Sequence, residues 1–170
     1  AQLLLDAGHR VLFAERPALF GTPAFMARQH IRARSEQLLI LPQQDLVHHQ
    51  LRLLPVLHQL NGAWSRAALQ RVLAQRPASS PLKVEQLINF NYDAFWLRRL
   101  FPSLPITTII NDDFEALSRL PWCGHLTWAL ARTCAMSDHV LAVSQPLLER
   151  LSRWCKPELF LPWAGEPYAA

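Results

Sequence analysis

The pentapeptide Ile106–Ile110, "ITTII", consists entirely of apolar or β-branched residues. A strand with one solvated face alternates apolar with polar side chains. A run like this one belongs where both faces are covered, as in a parallel sheet with helices packed on it. The run continues directly into Asn111, Asp112 and Asp113, and then into the helix-like pattern "FEAL". This strand therefore ends on two adjacent carboxylates. They could cap the following helix, hold a metal, or act as a catalytic base at the mouth of a cleft.

The rest of the chain supplies partners for such a strand. Residues 1–7 form the end of an amphipathic helix with Gly8 as its stop, and residues 10–14 a short strand. Residues 16–21 are a proline-containing loop, and 25–33 are either a helical turn or a short strand. Residues 37–41 form a strand stopped by Pro42. Leu and Val at three- and four-residue spacing predict helix over 45–75, broken near Pro55 and Gly62. A loop follows at 76–81. Strands are expected at 84–90, 106–110, 140–143 and 158–161, alternating with helices at 92–100, 114–120, 125–136 and 145–154. This alternation describes an α/β fold, a Rossmann-like doubly wound and mostly parallel sheet. The helix lacks a start and both chain ends read as cut from something longer.

Composition excludes several classes of function. At 170 residues, 51% hydrophobic and 18% charged, the chain is globular and not disordered. The net charge of +4 comes from scattered Arg residues with no interleaved aromatics, so no nucleic-acid platform is expected. Weak attraction to an anionic membrane face is compatible with that charge. Cys123, Cys134 and Cys155 are widely spaced and contain no CxxC, which reads as reduced thiols in a cytosolic protein. His48 and His49 are adjacent, a poor chelate on a helix, so no metal site is expected. No run of apolar residues is long enough to span a bilayer.

In open parallel sheets, ligands bind outside the carboxyl ends of the strands. That rule selects Asn91, Tyr92, Asp93, Asn111, Asp112, Asp113 and Ser144. Asp112 with Glu115 three residues later fits a capping box, which gives Asp112 a structural role. The same box leaves Asp113 unexplained, because an acid at the first helical position adds only a few tenths of a kcal/mol through the dipole. Asp93 can cap a helix over 94–100. Ser144, ahead of Gln145-Pro146, can cap the next helix or open its backbone N–H groups to an anion. Glu15 after the strand at 10–14 could bind a ribose, but no glycine-rich turn precedes it.

Several stretches, taken in order, resemble the N-terminal half of a GT-B glycosyltransferase, of the family 4 and family 1-like bacterial sugar transferases. They are "AQLLLDAGHRVLFAERP", "VEQLINFNYDAFWLRRL", "ITTIINDDFEAL", "CAMSDHVLAVSQPLLERLSR" and "PELFLPWAGEPY". The hinge reads "PWAGEPY" where the family has Asn-Gly-Val-Asp. The resemblance implies an acceptor-binding domain over 1–162, without its first strand, and the start of an interdomain hinge at 163–170. The C-terminal domain, which in this family binds most of the nucleotide-sugar donor, lies beyond the chain.

The activity implied is sugar transfer to a saccharide or lipid-linked acceptor in bacterial cell-surface polysaccharide synthesis, without a bound cofactor or metal. The implied location is cytoplasmic and peripheral to the inner membrane. In inverting members a carboxylate in this half takes the proton of the acceptor hydroxyl, which assigns the base to Asp113 with Asp112 beside it. Asn91, Tyr92, Asp93, Asn111 and Ser144 are the implied acceptor-binding residues. The alternative is a non-catalytic Rossmann-like module that binds a nucleotide or docks a partner.

Overall fold

The structure is a computed structural model and describes residues 2–14, 17–27, 30, 32–48, 54–74, 84–113 and 124–160. The chain divides into two compact units, Ala1–Leu82 and Lys83–Ala170.

The first unit opens with helix α1 (Gln2–Asp6). Gly8, at φ +82°, ends it. The Gly8 N–H donates to the Leu5 carbonyl and the His9 N–H to the Leu4 carbonyl, both at 2.9 Å. These are the two bonds of a Schellman cap, whose left-handed residue favours glycine. Strand β1 (Val11–Ala14) follows, then β2 (Ala18–Leu19), α2 (Pro23–Ala27), β3 (Arg32–Ala33), β4 (Leu38–Leu41) and β5 (Gln44–Asp45). β1 runs parallel to β4, and β3 pairs antiparallel on the other edge of β4. Residues 25–33 thus contain both expected forms, a helix end and then a strand. The loop expected at 16–21 instead contains β2, parallel to β5. A two-residue strand has no period to read.

The helical region expected over 45–75 is also corrected. Asp45 lies in β5, residues 46–48 and Leu54 are not helical, and the described helix is one continuous segment, α3 (Pro55–Ala74). Pro55 opens the helix, where its missing N–H is not needed. Gly62 does not break it and is buried at mid-helix. Buried Asn61 fixes α3 against β5. Its Oδ1 accepts from the N–H groups of Leu46 (2.7 Å) and Val47 (3.2 Å), and its Nδ2 donates to Asp45 Oδ1 at 2.9 Å. Ser65 Oγ donates to the Gln44 carbonyl at 2.9 Å.

The second unit is the parallel sheet that the "ITTII" run requires. Its elements are β6 (Leu87–Asn89), α4 (Leu97–Leu100), β7 (Ile106–Ile110), α5 (Gly124–Met136), β8 (His139–Ala142), α6 (Gln145–Leu151) and β9 (Glu158–Leu159). The strands lie side by side in chain order, all parallel. Ile106, Thr108 and Ile110 are buried. Ile110 packs with Leu130 and Cys134 of α5, Val140 and Ala142 of β8, and Leu147 and Leu151 of α6. A second cluster joins Ile106 to Ala94 and Leu97. The architecture is α/β, with a parallel sheet flanked by helices.

Two expectations change here. The helix expected over 92–100 is only α4, whose N-cap is Trp96, so Asp93 is not its cap. Asn89 supplies the reason. Its Nδ2 donates to the Asn91 carbonyl at 2.9 Å and its Oδ1 accepts from the Asn91 N–H at 3.0 Å, which holds the next residues in a turn. The helix expected to reach 154 stops at Leu151. Glu15, Glu115, Cys123, the helix expected at 114–120 and the hinge at 163–170 lie outside the described residues.

Candidate functional site

Because β6, β7 and β8 are parallel neighbours, the segments that follow them emerge at one sheet edge. Residues 90–93, 111–113 and 143–144 gather there. The Val143 N–H donates to the Ile110 carbonyl at 3.3 Å, which keeps the ends of β7 and β8 together. Tyr92 packs against the core cluster that contains Ile110 and Ala142, drawing the loop after β6 against its neighbours.

Within this edge the selected residues differ in surroundings. Asn91, Asn111 and Asp112 are exposed, whereas Asp93 is only 6% exposed. Ser144 is the N-cap of α6 and its side chain accepts from the Leu147 N–H at 3.4 Å. Asp113 is about one-third exposed, and its Oδ1 is ion-paired with Nη1 of Arg150 on α6. Side chains on a helix lean towards its N-terminus, which lets Arg150 reach back from the last turn of α6 towards the site edge. The pair ties the end of β7 to the helix that follows β8.

Residues outside the selected set also shape the edge. Asn89 is buried, and besides holding Asn91 it donates from Nδ2 to Thr108 Oγ1 at 3.1 Å. The signal was an amide inside the otherwise apolar "LIN" run. Arg150 sits in the helix within "SQPLLERL" but carries no local mark of its distant partner. The first turns of α5, which begins at this same edge, add an aromatic group. His125 stacks on Trp128 with ring centres 5.1 Å apart, and Phe95 meets Trp128 edge-on at 5.1 Å. Trp128 remains 40% exposed.

The stretch "SDHVLAVSQPLLERL" also contains an acid with a structural role. Asp138 lies at the opposite end of the sheet, where its Oδ2 accepts from the Ile106 N–H and from Arg98 Nη2, both at 2.7 Å. The Ile106 N–H, and then Arg98, hold its carboxyl below the usual carboxylate range.

Among the described residues, no group of three or more His, Cys, Asp or Glu could hold a metal ion, and no helix is long and apolar enough to cross a membrane. No known protein family matches the chain, and neither does any curated protein.

Proposed function

We propose that this chain is the acceptor-binding half of a GT-B glycosyltransferase, with the Rossmann-like doubly wound build of that group. It moves a sugar from a nucleotide-sugar donor to a saccharide or lipid-linked acceptor in bacterial cell-surface polysaccharide synthesis. One observation carries this reading. The stretches "ITTIINDD" and "SDHVLAVSQPLLERL", which most resemble the family, form adjacent parallel strands, and Asp113 at the end of one pairs with Arg150 from the helix after the other.

In an inverting reaction Asp113 accepts the proton of the acceptor hydroxyl. The hydroxyl oxygen attacks the anomeric carbon, and the nucleoside diphosphate leaves. A base has to stand within hydrogen-bond reach of the proton it takes. Arg150 positions the carboxylate, and the acceptor hydroxyl approaches it from the open side of the edge, where Asp112 and Asn111 are exposed. The amides of Asn91 and Asn111 each offer donors and an acceptor to sugar hydroxyls. The exposed part of Trp128 offers an apolar surface to the C–H face of a pyranose ring. The donor is bound mainly by a C-terminal domain.

The first unit supports a cytoplasmic location peripheral to the inner membrane. It carries nine Arg against four acidic residues, while the second carries eight basic and nine acidic residues. Val56, Leu60 and Trp64 follow one another at four-residue spacing along α3, and Phe20 packs edge-on to Trp64 at 5.6 Å. Phe20, Val56 and Leu60 are all more than half exposed. An apolar stripe on a basic unit suits an anionic membrane face.

The second reading, a non-catalytic module, is favoured by one observation: both Asp113 and Asp138 are engaged by arginines. Calorimetric titration of the intact protein separates the two. The glycosyltransferase reading predicts binding of nucleotide sugars and of short oligosaccharides, and none of NAD. Tight binding of NAD without any response to nucleotide sugars overturns it.

A further inference from the structure

Cys134 and Cys155 are distant in sequence but adjacent in the fold. Cys134 lies in the last turn of α5, 1% exposed, within the core cluster of the second unit. Cys155 lies in the turn after α6, half-buried, and packs against that same cluster. Both are free thiols. Packed at this one cluster, the thiols sit close enough for each to act on the other's ionisation, and Cys155 disfavours the Cys134 thiolate. The Cys155 thiol also lies 3.6 Å from the Leu151 carbonyl. Two thiols at one core cluster, one sealed within it and one reachable from solvent, suit an attacking and resolving pair.

We infer that Cys134 and Cys155 are a reversible dithiol–disulfide couple, oxidised by glutathione disulfide or another small disulfide. The Cys155 thiolate attacks one sulfur of glutathione disulfide, and one glutathione leaves as a thiol. Cys134 then gives up its proton and attacks the Cys155 sulfur of the mixed disulfide, releasing the second glutathione. In total the protein loses two hydrogens and one glutathione disulfide becomes two glutathiones. Burial raises both thiols above their ordinary range, and for Cys155 the nearby Cys134 thiol partly opposes that rise. The first step is therefore slow at neutral pH and accelerates as pH rises. The bridge joins the end of α5 to the turn behind α6, the helix that carries Arg150.

The test is mass spectrometry of the protein after incubation with glutathione disulfide, digested without reduction. The expected product is a peptide pair linked through Cys134 and Cys155, lighter by two hydrogens and released by dithiothreitol. Cys134→Ala lacks the resolving thiol and should stop at a glutathione adduct on Cys155. A lasting glutathione adduct on Cys155 of the unsubstituted protein, with the Cys134 thiol still free for alkylation after unfolding, overturns the inference. So does a bridge from either residue to Cys123 in place of the pair.

Discussion

Arg98 Nη2 lies 2.7 Å from Asp138 Oδ2, joining the helix before β7 to the turn before β8. The same guanidinium donates to the Met136 carbonyl at 3.0 Å and 2.7 Å and to the Leu104 carbonyl at 2.9 Å. One side chain thus satisfies carbonyls from two crossover connections at the end of the sheet away from the candidate site. Arg98→Met leaves these acceptors without their donor and should cost roughly 2–3 kcal/mol of stability, measured by denaturant unfolding.

The partner of Arg98 gives a pH dependence. The Asp138 carboxyl is held below its ordinary value of 3.8 by the Ile106 N–H and by Arg98. The folded chain therefore keeps it ionised at pH values where the unfolded chain has protonated it. Its contribution is complete above the unfolded value and is lost as pH falls through the lower folded one. Asp138→Asn removes this titration. The melting temperature of the unsubstituted protein should fall more steeply with acidification below about pH 4 than that of Asp138→Asn.

Asn89 is expected to matter more than the exposed Asn91 beside the site. Asn89→Ala removes three hydrogen bonds from a buried amide, two of them to the Asn91 backbone. The expected loss is roughly 1–3 kcal/mol by thermal unfolding. Asn91→Ala keeps those backbone partners and should change stability by less than about 0.5 kcal/mol. Equal losses for the two variants would contradict the assignment.

Trp128 tests the acceptor surface. Trp128→Ala should raise KM for a saccharide acceptor roughly tenfold, about 1.4 kcal/mol, and leave kcat nearly unchanged. A fall in kcat at constant KM would place Trp128 elsewhere in the mechanism.

How far these features could be read from residues alone depends on their range. "ITTII" marks β7 at its true ends because continuous apolarity is a local signal of two covered faces. Gly8 and Ser144 mark helix ends for the same reason, since a cap is set by adjacent residues. The turn after β6 could not be read this way, because "NYDAFWLRRL" has a helical pattern and the override comes from the Asn89 side chain. β2 and β5 hold two residues each, and β5 is fixed by Asn61, which is sixteen residues from Asp45. At the site the loops were legible from the sheet rule, but Arg150 was not. Its partner Asp113 lies 37 residues earlier, and contact at that separation exists only once β7 and β8 have paired.

We propose Asp113 as the group that serves sugar transfer at the carboxyl edge of this sheet. The direct measurement is transfer of labelled sugar from a panel of nucleotide sugars to lipid-linked saccharide acceptors, comparing the intact protein with its Asp113→Asn variant. Transfer by the unsubstituted protein is expected, with a loss of about 100-fold or more in the variant and an unfolding transition still present. Near-normal transfer by Asp113→Asn, or no transfer from any donor by the unsubstituted protein, would contradict this role.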